Sequence, residues 1–214
     1  MIVAVDGPTA SGKGTIARRL AQHLGVPYLD TGLLYRAVGR QVAVKGGDAD
    51  DPADALAACD FPDELLEDEI LRAEAVGGLA SRVSVHPEVR KALFERQRAF
   101  AEQPGGAVLD GRDIGTIIAP DADVKLFITA SVQERARRRW LEMIDKHIDH
   151  EEEIPLSEIV KDVVARDARD INRKDAPLKA APDALVIDTT SFDREQAFEM
   201  VLEAVEEALR EKRA

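Results

Sequence analysis

The chain has 214 residues, a formal net charge of −12 and one cysteine. This length suits one α/β domain with a sizeable core, and the negative charge argues against a general nucleic-acid-binding protein, whose ligand rewards basic surfaces. The lone cysteine excludes an intrachain disulfide and is typical of a reducing compartment, so we expect a cytoplasmic protein. The N-terminal apolar run is too short for a secretory signal and no stretch reaches the length of a membrane span, so we expect no membrane association.

The N-terminal segment combines a short apolar run with a glycine-rich loop. Residues 2–5 are apolar and mostly β-branched, which predicts a buried parallel strand. Residues 7–13 then fit the pattern G-x-x-x-x-G-K, and residues 13–24 carry apolar side chains at helical spacing. This order favours a phosphate-binding loop, in which backbone N–H groups, a helix N-terminus and a lysine attract phosphates. The residues predicted to bind ATP here are Gly7, Pro8, Thr9, Ala10, Ser11, Gly12, Lys13, Gly14 and Thr15.

The loop departs from the general pattern in one respect. The position after the lysine, which is usually Ser or Thr, is Gly14, and the hydroxyl follows one place later at Thr15. We expect Thr15 to help place the Mg²⁺ that accompanies ATP, directly or through water. The order Gly-Lys-Gly-Thr is more typical of small nucleoside monophosphate kinases than of GTPase switches.

Beyond the loop, short apolar runs alternate with helical patterns. Further strands are predicted at residues 26–30, 107–110, 124–128 and 184–188. Helices are predicted at residues 31–44, 73–85, 87–103, 156–170 and 193–210, with another opened by a capping box at residues 131–134 and short helices within residues 53–72. This alternation predicts an α/β fold with a five-stranded parallel sheet covered by helices on both faces.

Polar motifs follow four of the predicted strands. The glycine loop follows the first strand, Asp30-Thr-Gly the second, Asp110-Gly-Arg-Asp the third and Ser131 the fourth. Because the carboxyl ends of parallel strands meet at one edge of the sheet, these motifs predict a single site. Arg112 stands out, since it follows a buried strand inside a glycine turn, where a structural role needs no arginine.

The sequence resembles the bacterial-type cytidylate kinases, which belong to the nucleoside monophosphate kinase family. The matching stretches are residues 6–15, 30–36, 89–98, 109–116 and 166–173, in the family's order along nearly the whole chain. The stretch 109–116, Leu-Asp-Gly-Arg-Asp-Ile-Gly-Thr, and the arginine- and aspartate-rich stretch 166–173 narrow the resemblance to cytidylate. The resemblance implies transfer of the γ-phosphoryl group of ATP to CMP, and to dCMP, with Mg²⁺ bound to ATP.

The resemblance also assigns roles to residues on the acceptor side. A monophosphate dianion needs guanidinium forks, and the resemblance gives this role to Arg36, Arg112 and Arg173. The pair Arg90 and Asp113 would recognise the edge of cytosine, with the carboxylate beside the exocyclic amine and the guanidinium beside the acceptor atoms. Uracil would instead present a carbonyl oxygen to the carboxylate. The remaining implied substrate contacts are Ser81 and Thr31, with Arg166 and Asp170 at the ribose.

On the donor side, two arginines of the helix after residue 131 share one face. We read Arg139 as a phosphate contact and Arg135 as an adenine neighbour. The residues expected to act in catalysis are Lys13, Arg112, Arg139 and Arg173.

The resemblance further implies a P-loop NTPase-like, three-layer α/β/α architecture. The expected single kinase domain has a core of residues 1–45, 104–144 and 171–214, a helical monophosphate-binding insertion at about residues 46–103 and a short lid at about residues 145–158. Residues 48–72 look shorter than in the long bacterial forms, where small strands are inserted. We expect a monomer whose partners are ATP and CMP or dCMP.

Three other interpretations remain open at this stage. The first is another P-loop kinase of a small metabolite or nucleotide, which would share the loop. The second is a GTPase switch or nucleotide-gated binding module, but guanine recognition usually needs Asn-Lys-x-Asp and the chain offers only Asn172-Arg-Lys-Asp175. The third is a nucleic-acid binder that uses the arginine-rich helix. The pair His147 and His150 could suggest a metal site, although a solvated lid segment is the simpler interpretation.

Overall fold

The computed structural model describes residues 1–146 and 154–212. Within them the chain forms one sheet whose strands are β1 (Ile2–Asp6), β2 (Tyr28–Asp30), β3 (Ala107–Gly111), β4 (Val124–Thr129) and β5 (Leu185–Asp188). All pairings are parallel and the spatial order is β2-β3-β1-β4-β5. The predicted five-stranded parallel sheet is therefore confirmed.

The connections between the strands are helical. The α-helices are α1 (Lys13–Leu24), α2 (Thr31–Val44), α3 (Pro52–Ala57), α4 (Glu74–Val83), α5 (Pro87–Ala101), α6 (Val132–Lys146), α7 (Leu156–Ile171) and α8 (Arg194–Glu211). Two short 3-10 helices, Asp63–Glu67 and Glu69–Arg72, lie between α3 and α4, and a single turn of π-helix, Ile114–Ile118, follows β3.

Strand β1 lies in the middle of the sheet, between β3 and β4. Its side chains alternate between the two faces. Val3 and Val5 pack with α1 and α8 on one face, whereas Ala4 packs with Leu109 and Ile114 on the other. Both faces are thus covered, which gives the three predicted layers and explains why β1 is apolar at consecutive positions.

The segment between β2 and β3 forms a second, helical core. Leu34, Val38 and Leu71 are among its buried side chains, which come from α2 to α5 and the 3-10 helices. Helices α2 and α4 meet at Gly39, where a Cβ atom would lie 2.8 Å from Cβ of Leu79, so that only glycine permits this approach. The insertion is helical, as predicted.

Two local predictions were wrong in detail. Strand β2 begins at Tyr28 instead of residue 26, because the Val26 N–H donates to the Ala21 carbonyl at 3.0 Å and completes the end of α1. Of the predicted capping box, the Ser131 hydroxyl does accept from the Glu134 N–H at 3.2 Å. The Glu134 carboxylate, however, accepts from the guanidinium groups of two arginines one turn further on.

The predicted lid falls largely outside the described residues. Helix α6 ends at Lys146 and α7 begins at Leu156, so residues 147–153, including the proposed alternative metal site at His147 and His150, are not described. Helices α6 and α7 pack against each other through Ala136 and Val163. No helix within the described ranges is long and apolar enough to cross a membrane.

Candidate active site

The phosphate loop leaves β1 at the centre of the sheet edge. Gly7 has a φ of 153°, and a Cβ atom there would lie 2.0 Å from the carbonyl oxygen of Ile128 on β4. Ala10 and Gly12 also have positive φ, 56° and 87°, and turn the chain into α1. The result is a tight loop that leads directly into a helix N-terminus, as an anion site requires.

Lys13 begins α1 and is buried. Its Nζ donates to the carbonyl oxygen of Pro8 at 3.4 Å. Burial and the charge of Arg112 lower the pKa of Lys13 to about 8, although Asp110 and Asp30 act in the opposite direction. A phosphate beside this ammonium group would favour its charged form, so the lysine is suited to an anionic ligand.

A donor cavity opens between the phosphate loop, α6 and the segment before α8. Four of the predicted ATP-binding residues line it, namely Ala10, Ser11, Gly12 and Thr15. Arg138 of α6 lines it as well and lies against the loop, since its Nη1 would be 3.8 Å from a Cβ atom on Gly12. The guanidinium also donates to the Thr189 carbonyl at 2.6 Å and to its hydroxyl at 3.0 Å.

The structure gives Arg135 hydrogen-bond partners away from the donor cavity. Its guanidinium is buried and donates to both carboxylate oxygens of Asp167 on α7, at 3.0 and 2.6 Å, and to the carbonyl oxygens of Ala130 and Thr9 at 2.9 and 3.2 Å. It is not among the residues that line the donor cavity. Arg135 thus connects α6 with α7 and with the loop backbone, and its predicted contact with adenine stays a prediction.

Arg139 lies towards the acceptor side. It pairs with Glu142 at 3.7 Å, and burial together with the charge of Arg166 lowers its pKa. The charge of Arg139 is also felt by Arg36. A phosphate contact by Arg139 stays a prediction, and its surroundings of other cations are compatible with one.

An acceptor cavity lies where β2, the loop after β3, α4 and α7 approach one another. Every residue predicted to bind the monophosphate substrate lines it, namely Thr31, Arg36, Ser81, Arg90, Arg112, Asp113, Arg166, Asp170 and Arg173. With Asp30, the lining contains five arginines and three aspartates. The cavity is therefore locally cationic in a chain whose net charge is −12.

Asp170 joins two of the predicted phosphate-binding arginines. It accepts from Arg112 Nε at 2.8 Å and forms an ion pair with Arg173. Burial alone would raise the pKa of Asp170, but the two arginines hold it below its ordinary value. The buried Nε of Arg173 has no hydrogen-bond partner in the described part of the chain, so this cluster keeps a donor for a ligand.

Arg90 and Asp113, the predicted base-reading pair, contact each other in an ion pair. Their side chains are 10% and 6% exposed. The Arg90 guanidinium also lies 5.6 Å from the centre of the Tyr35 ring and donates to the Ser84 carbonyl at 3.4 Å. The structure thus brings a buried donor group and a buried acceptor group together at one wall of the cavity.

The helical insertion holds further acceptor-side residues by hydrogen bonds. Arg36 Nη1 donates to the carbonyl oxygens of Leu71 and Ala73 at 2.7 and 3.1 Å. Burial and the charges of nearby arginines lower the pKa of Arg36 to about 10, although the charge of Asp30 acts in the opposite direction. The Ser81 hydroxyl accepts from Arg169 Nε at 3.0 Å, which joins α4 to α7.

Asp110 provides a buried carboxylate close to the phosphate loop, since its Oδ2 would lie 3.6 Å from a Cβ atom on Gly14. Its Oδ1 accepts from the Tyr28 hydroxyl at 2.6 Å, and the Thr31 hydroxyl donates to its carbonyl oxygen at 2.8 Å. Burial and the charge of Asp30 raise the pKa of Asp110 to about 7, although Lys13 opposes this. Two carboxylates close enough to repel each other are suited to a divalent cation.

The residues around the phosphate loop offer oxygen atoms of the kind that magnesium takes as ligands. Hard oxygen ligands are available from Asp110, Asp30 and Thr15, and Mg²⁺ usually keeps several waters and phosphate oxygens in its shell. Over residues 1–146 and 154–212, no group of three or more His, Cys, Asp or Glu side chains forms a protein-only cage. A magnesium ion held by Asp110, Asp30 and Thr15 would need waters or phosphate oxygens to complete its shell.

Sequence reasoning missed several residues of the site. Asp30 and Asp110 were placed at the site as parts of strand-end motifs, but neither carboxylate was given a role there. Arg138 follows Glu134 by four residues on the helix, which places both on one face. Ser84, whose hydroxyl accepts from Arg173 at 2.9 Å, and the wall residue Tyr35 carry no recognisable sequence signal.

Comparison with known proteins agrees with this geometry. The family model described as cytidylate kinase matches residues 3–207. A cytidylate kinase from Rhodopseudomonas palustris is 50% identical over 96% of this chain and 96% of its own, and one from Cereibacter sphaeroides is 52% identical over 95% and 94%. The crystal structure of an uncharacterized protein from Eubacterium ventriosum, 14% identical over 96% of this chain and 98% of that one, has a TM-score of 0.54 and shares the fold. The chain belongs to the cytidylate kinase family.

Proposed function

We propose that this protein transfers the γ-phosphoryl group of ATP to CMP and releases CDP and ADP. The observation that carries the proposal is the acceptor cavity, in which five arginines and a buried Arg90–Asp113 pair meet beside the phosphate loop. A cationic pocket with a hydrogen-bonding wall matches a pyrimidine monophosphate, and the loop matches the phosphates of ATP. The near-complete coverage of about 50%-identical cytidylate kinases supports the same assignment.

The monophosphate would be held by the arginines around Asp170. Arg112 and Arg173 already face one carboxylate, and the proposed arrangement gives the substrate phosphate their remaining N–H groups, with Arg36 as a third contact. Asp170 would then have two roles. It would orient the guanidinium groups of Arg112 and Arg173, and together with Arg166 it would contact the ribose. A monophosphate has a second pKa of about 6, so its oxygen is already deprotonated near pH 7 and the reaction needs no general base.

The base would be read by Arg90, Asp113 and Ser81. The Asp113 carboxylate would accept from the exocyclic amine of cytosine, while Arg90 would donate to the ring nitrogen and carbonyl. Uracil would place an oxygen against the carboxylate, so we expect CMP to be preferred over UMP. We expect dCMP to be accepted as well, because the phosphate and base contacts do not require the 2′-hydroxyl.

On the donor side, the loop amides and Lys13 would bind the β- and γ-phosphates, and Arg138 would face the nucleoside part of ATP. Mg²⁺, held by Thr15 and the Asp30–Asp110 pair, would neutralise charge on the transferring group. Arg139 and Arg112 would stabilise the charge that spreads over the phosphoryl oxygens, and no covalent nucleophile is needed. A lid at about residues 145–158 would exclude water from this step.

The test is a substrate panel. With ATP and Mg²⁺, the protein should phosphorylate CMP and dCMP, UMP more slowly, and AMP and shikimate negligibly. Product analysis by anion-exchange chromatography identifies CDP directly. A preference for AMP or shikimate would assign the protein to another small-molecule kinase activity and would overturn the proposal.

The proposal includes a monomer that acts in the cytoplasm on small molecules and binds neither nucleic acid nor membrane. The acidic surface and the free, half-buried Cys59, whose pKa burial raises to about 11, support this description. Sedimentation equilibrium at micromolar concentration should give the mass of one chain, 23.4 kDa.

A further inference from the structure

A buried carboxylate connects the two halves of the site without lining either cavity. Asp6 is the last residue of β1, immediately before the phosphate loop, and is 3% exposed. Its Oδ1 accepts from the Ile114 N–H and its Oδ2 from the Gly115 N–H, both at 2.8 Å. These two amides directly follow Arg112 and Asp113. A single side chain, placed just before the phosphate loop, therefore holds the loop after β3 by two hydrogen bonds.

The two amides need a partner that the acceptor loop does not supply. They begin the π-helix Ile114–Ile118, and the first N–H groups of a helix have no partner within it. Asp113, the residue at its start, makes no capping hydrogen bond with its own side chain. The carboxylate of Asp6, on another strand, therefore caps this helix in place of Asp113. The side chain of Asp113 is then available to the acceptor cavity.

Strand alignment does not require this carboxylate. Strands β1 and β3 already pair along their whole length, and Asp6 itself is in register with Gly111. The carboxylate is also costly to bury. Desolvation and the charge of Asp113 raise the pKa of Asp6 to about 6, although the two hydrogen bonds from the amides and the charge of Arg112 act in the opposite direction. A side chain needed only for packing would be apolar here, as at the neighbouring Val5.

We propose that Asp6 is a positioning residue that fixes Arg112 and Asp113 relative to the phosphate loop, and so aligns the acceptor with the donor and sets base selectivity. The proposal rests on the CMP kinase function argued above. It assigns to Asp6 no contact with either nucleotide. Its effect is transmitted through two backbone amides, one and two residues beyond the predicted base-reading carboxylate.

The direct test is Asp6→Asn. The amide keeps the volume but turns one acceptor oxygen into an NH₂ donor that faces an N–H donor, so one of the two loop amides loses its partner. We expect kcat/KM for CMP to fall at least tenfold and the CMP:UMP ratio of kcat/KM to fall severalfold, with KM for ATP within about twofold of wild type. Asp6→Glu, which keeps the charge but displaces both oxygens, should change the ratio in the same direction.

The matched control is Asp123→Asn. Asp123 accepts from the Ile2 N–H at 2.8 Å, at the opposite end of the same strand, and lies outside both cavities. This control should lower thermal stability without changing the CMP:UMP ratio. A further check combines Asp6→Asn with Asp113→Asn: if Asp6 acts through the base-reading carboxylate, adding Asp6→Asn should change the ratio no further.

The outcomes separate this inference from the function on which it rests. If wild type does not phosphorylate CMP, the proposed function fails. If wild type is active and both folded Asp6 variants keep the wild-type CMP:UMP ratio, or change it no more than Asp123→Asn does, Asp6 is only a structural anchor and the inference is overturned. If Asp6→Asn does not fold, the ratio measured for Asp6→Glu decides by the same criterion.

Discussion

The donor and acceptor halves of the site are built in different ways. The donor half is a continuous loop of backbone amides with one lysine, and residues 7–15 contain most of it. The acceptor half consists of side chains from α2, α4, α5, α7 and the loop after β3, held in arginine–aspartate pairs. The donor half therefore depends on local backbone conformation, whereas the acceptor half depends on the packing of distant segments.

The largest effect should come from the donor half. Lys13→Ala removes the loop's mobile cation, and we expect kcat/KM to fall by roughly a thousandfold, the scale of a lost transition-state charge contact. The fold should persist, because Lys13 contacts the loop carbonyl of Pro8 instead of the apolar core. Circular dichroism and coupled-assay kinetics check both points. Lys161→Ala, which removes an exposed lysine paired with Glu158, is the control and should be fully active.

Arg112→Lys tests whether the acceptor half depends on geometry as well as charge. Lysine keeps the charge but loses the planar fork that faces Asp170, so kcat/KM for CMP should fall tenfold or more, or about 1.4 kcal/mol per tenfold step. Arg82→Lys is the matched control, because Arg82 makes a similar pair with Asp50 on the surface. Equal activity of the two variants would make Arg112 a structural residue.

Asp113→Asn tests which acceptor group reads the base. The amide offers a donor as well as an acceptor and can tolerate the uracil carbonyl, so activity on CMP should fall and the CMP:UMP ratio should move about tenfold towards one. Steady-state kinetics with both nucleotides on both proteins measure it. If both substrates slow equally, cytosine is read elsewhere and Asp113 only holds the turn or its Arg90 partner.

Substitution of two arginines of α6 should show which of them binds ATP and which stabilises the fold. Arg138→Ala should raise KM for ATP severalfold with little change in KM for CMP, because Arg138 lies against the loop in the donor cavity. Arg135→Ala should instead lower the melting temperature, because it leaves Asp167 without its partner. Kinetics and thermal melts of both variants would reveal an exchange of these roles.

The smallest effect is a pH dependence of the donor half. The pKa of Lys13 is lowered from 10.5 to about 8, so half of the free protein should lose this charge near that pH, and kcat/KM for ATP should be halved there and fall further above it. The effect of pH on stability has the opposite sign. Between about pH 8 and 10.5 the unfolded chain binds more protons at Lys13 than the folded chain does, so the free energy of unfolding rises with pH in this range. Lys13→Arg should remove the alkaline limb of this kinetic profile.

The same contrast explains what the sequence could predict. The phosphate loop, the five strands and the helical stripes are local patterns, and they were predicted from spacing. The grouping of Arg36, Arg90 and Arg173 in one cavity came from the family resemblance, since their separation along the chain carries no distance information. Asp167 as the partner of Arg135, and Asp6 as the partner of two distant amides, depend on how helices and strands pack, and no local pattern encodes them.

The close approach of α2 and α4 at Gly39 has a consequence for motion on the acceptor side. Because glycine has no Cβ atom, α2 and α4 approach closely at Leu79, and we expect Arg36 on one helix and Ser81 on the other to keep their separation when the acceptor side moves. We expect Gly39→Ala to force the two helices apart and to change the distance between Arg36 and Ser81, which fluorescence transfer between labels on α2 and α4 would report.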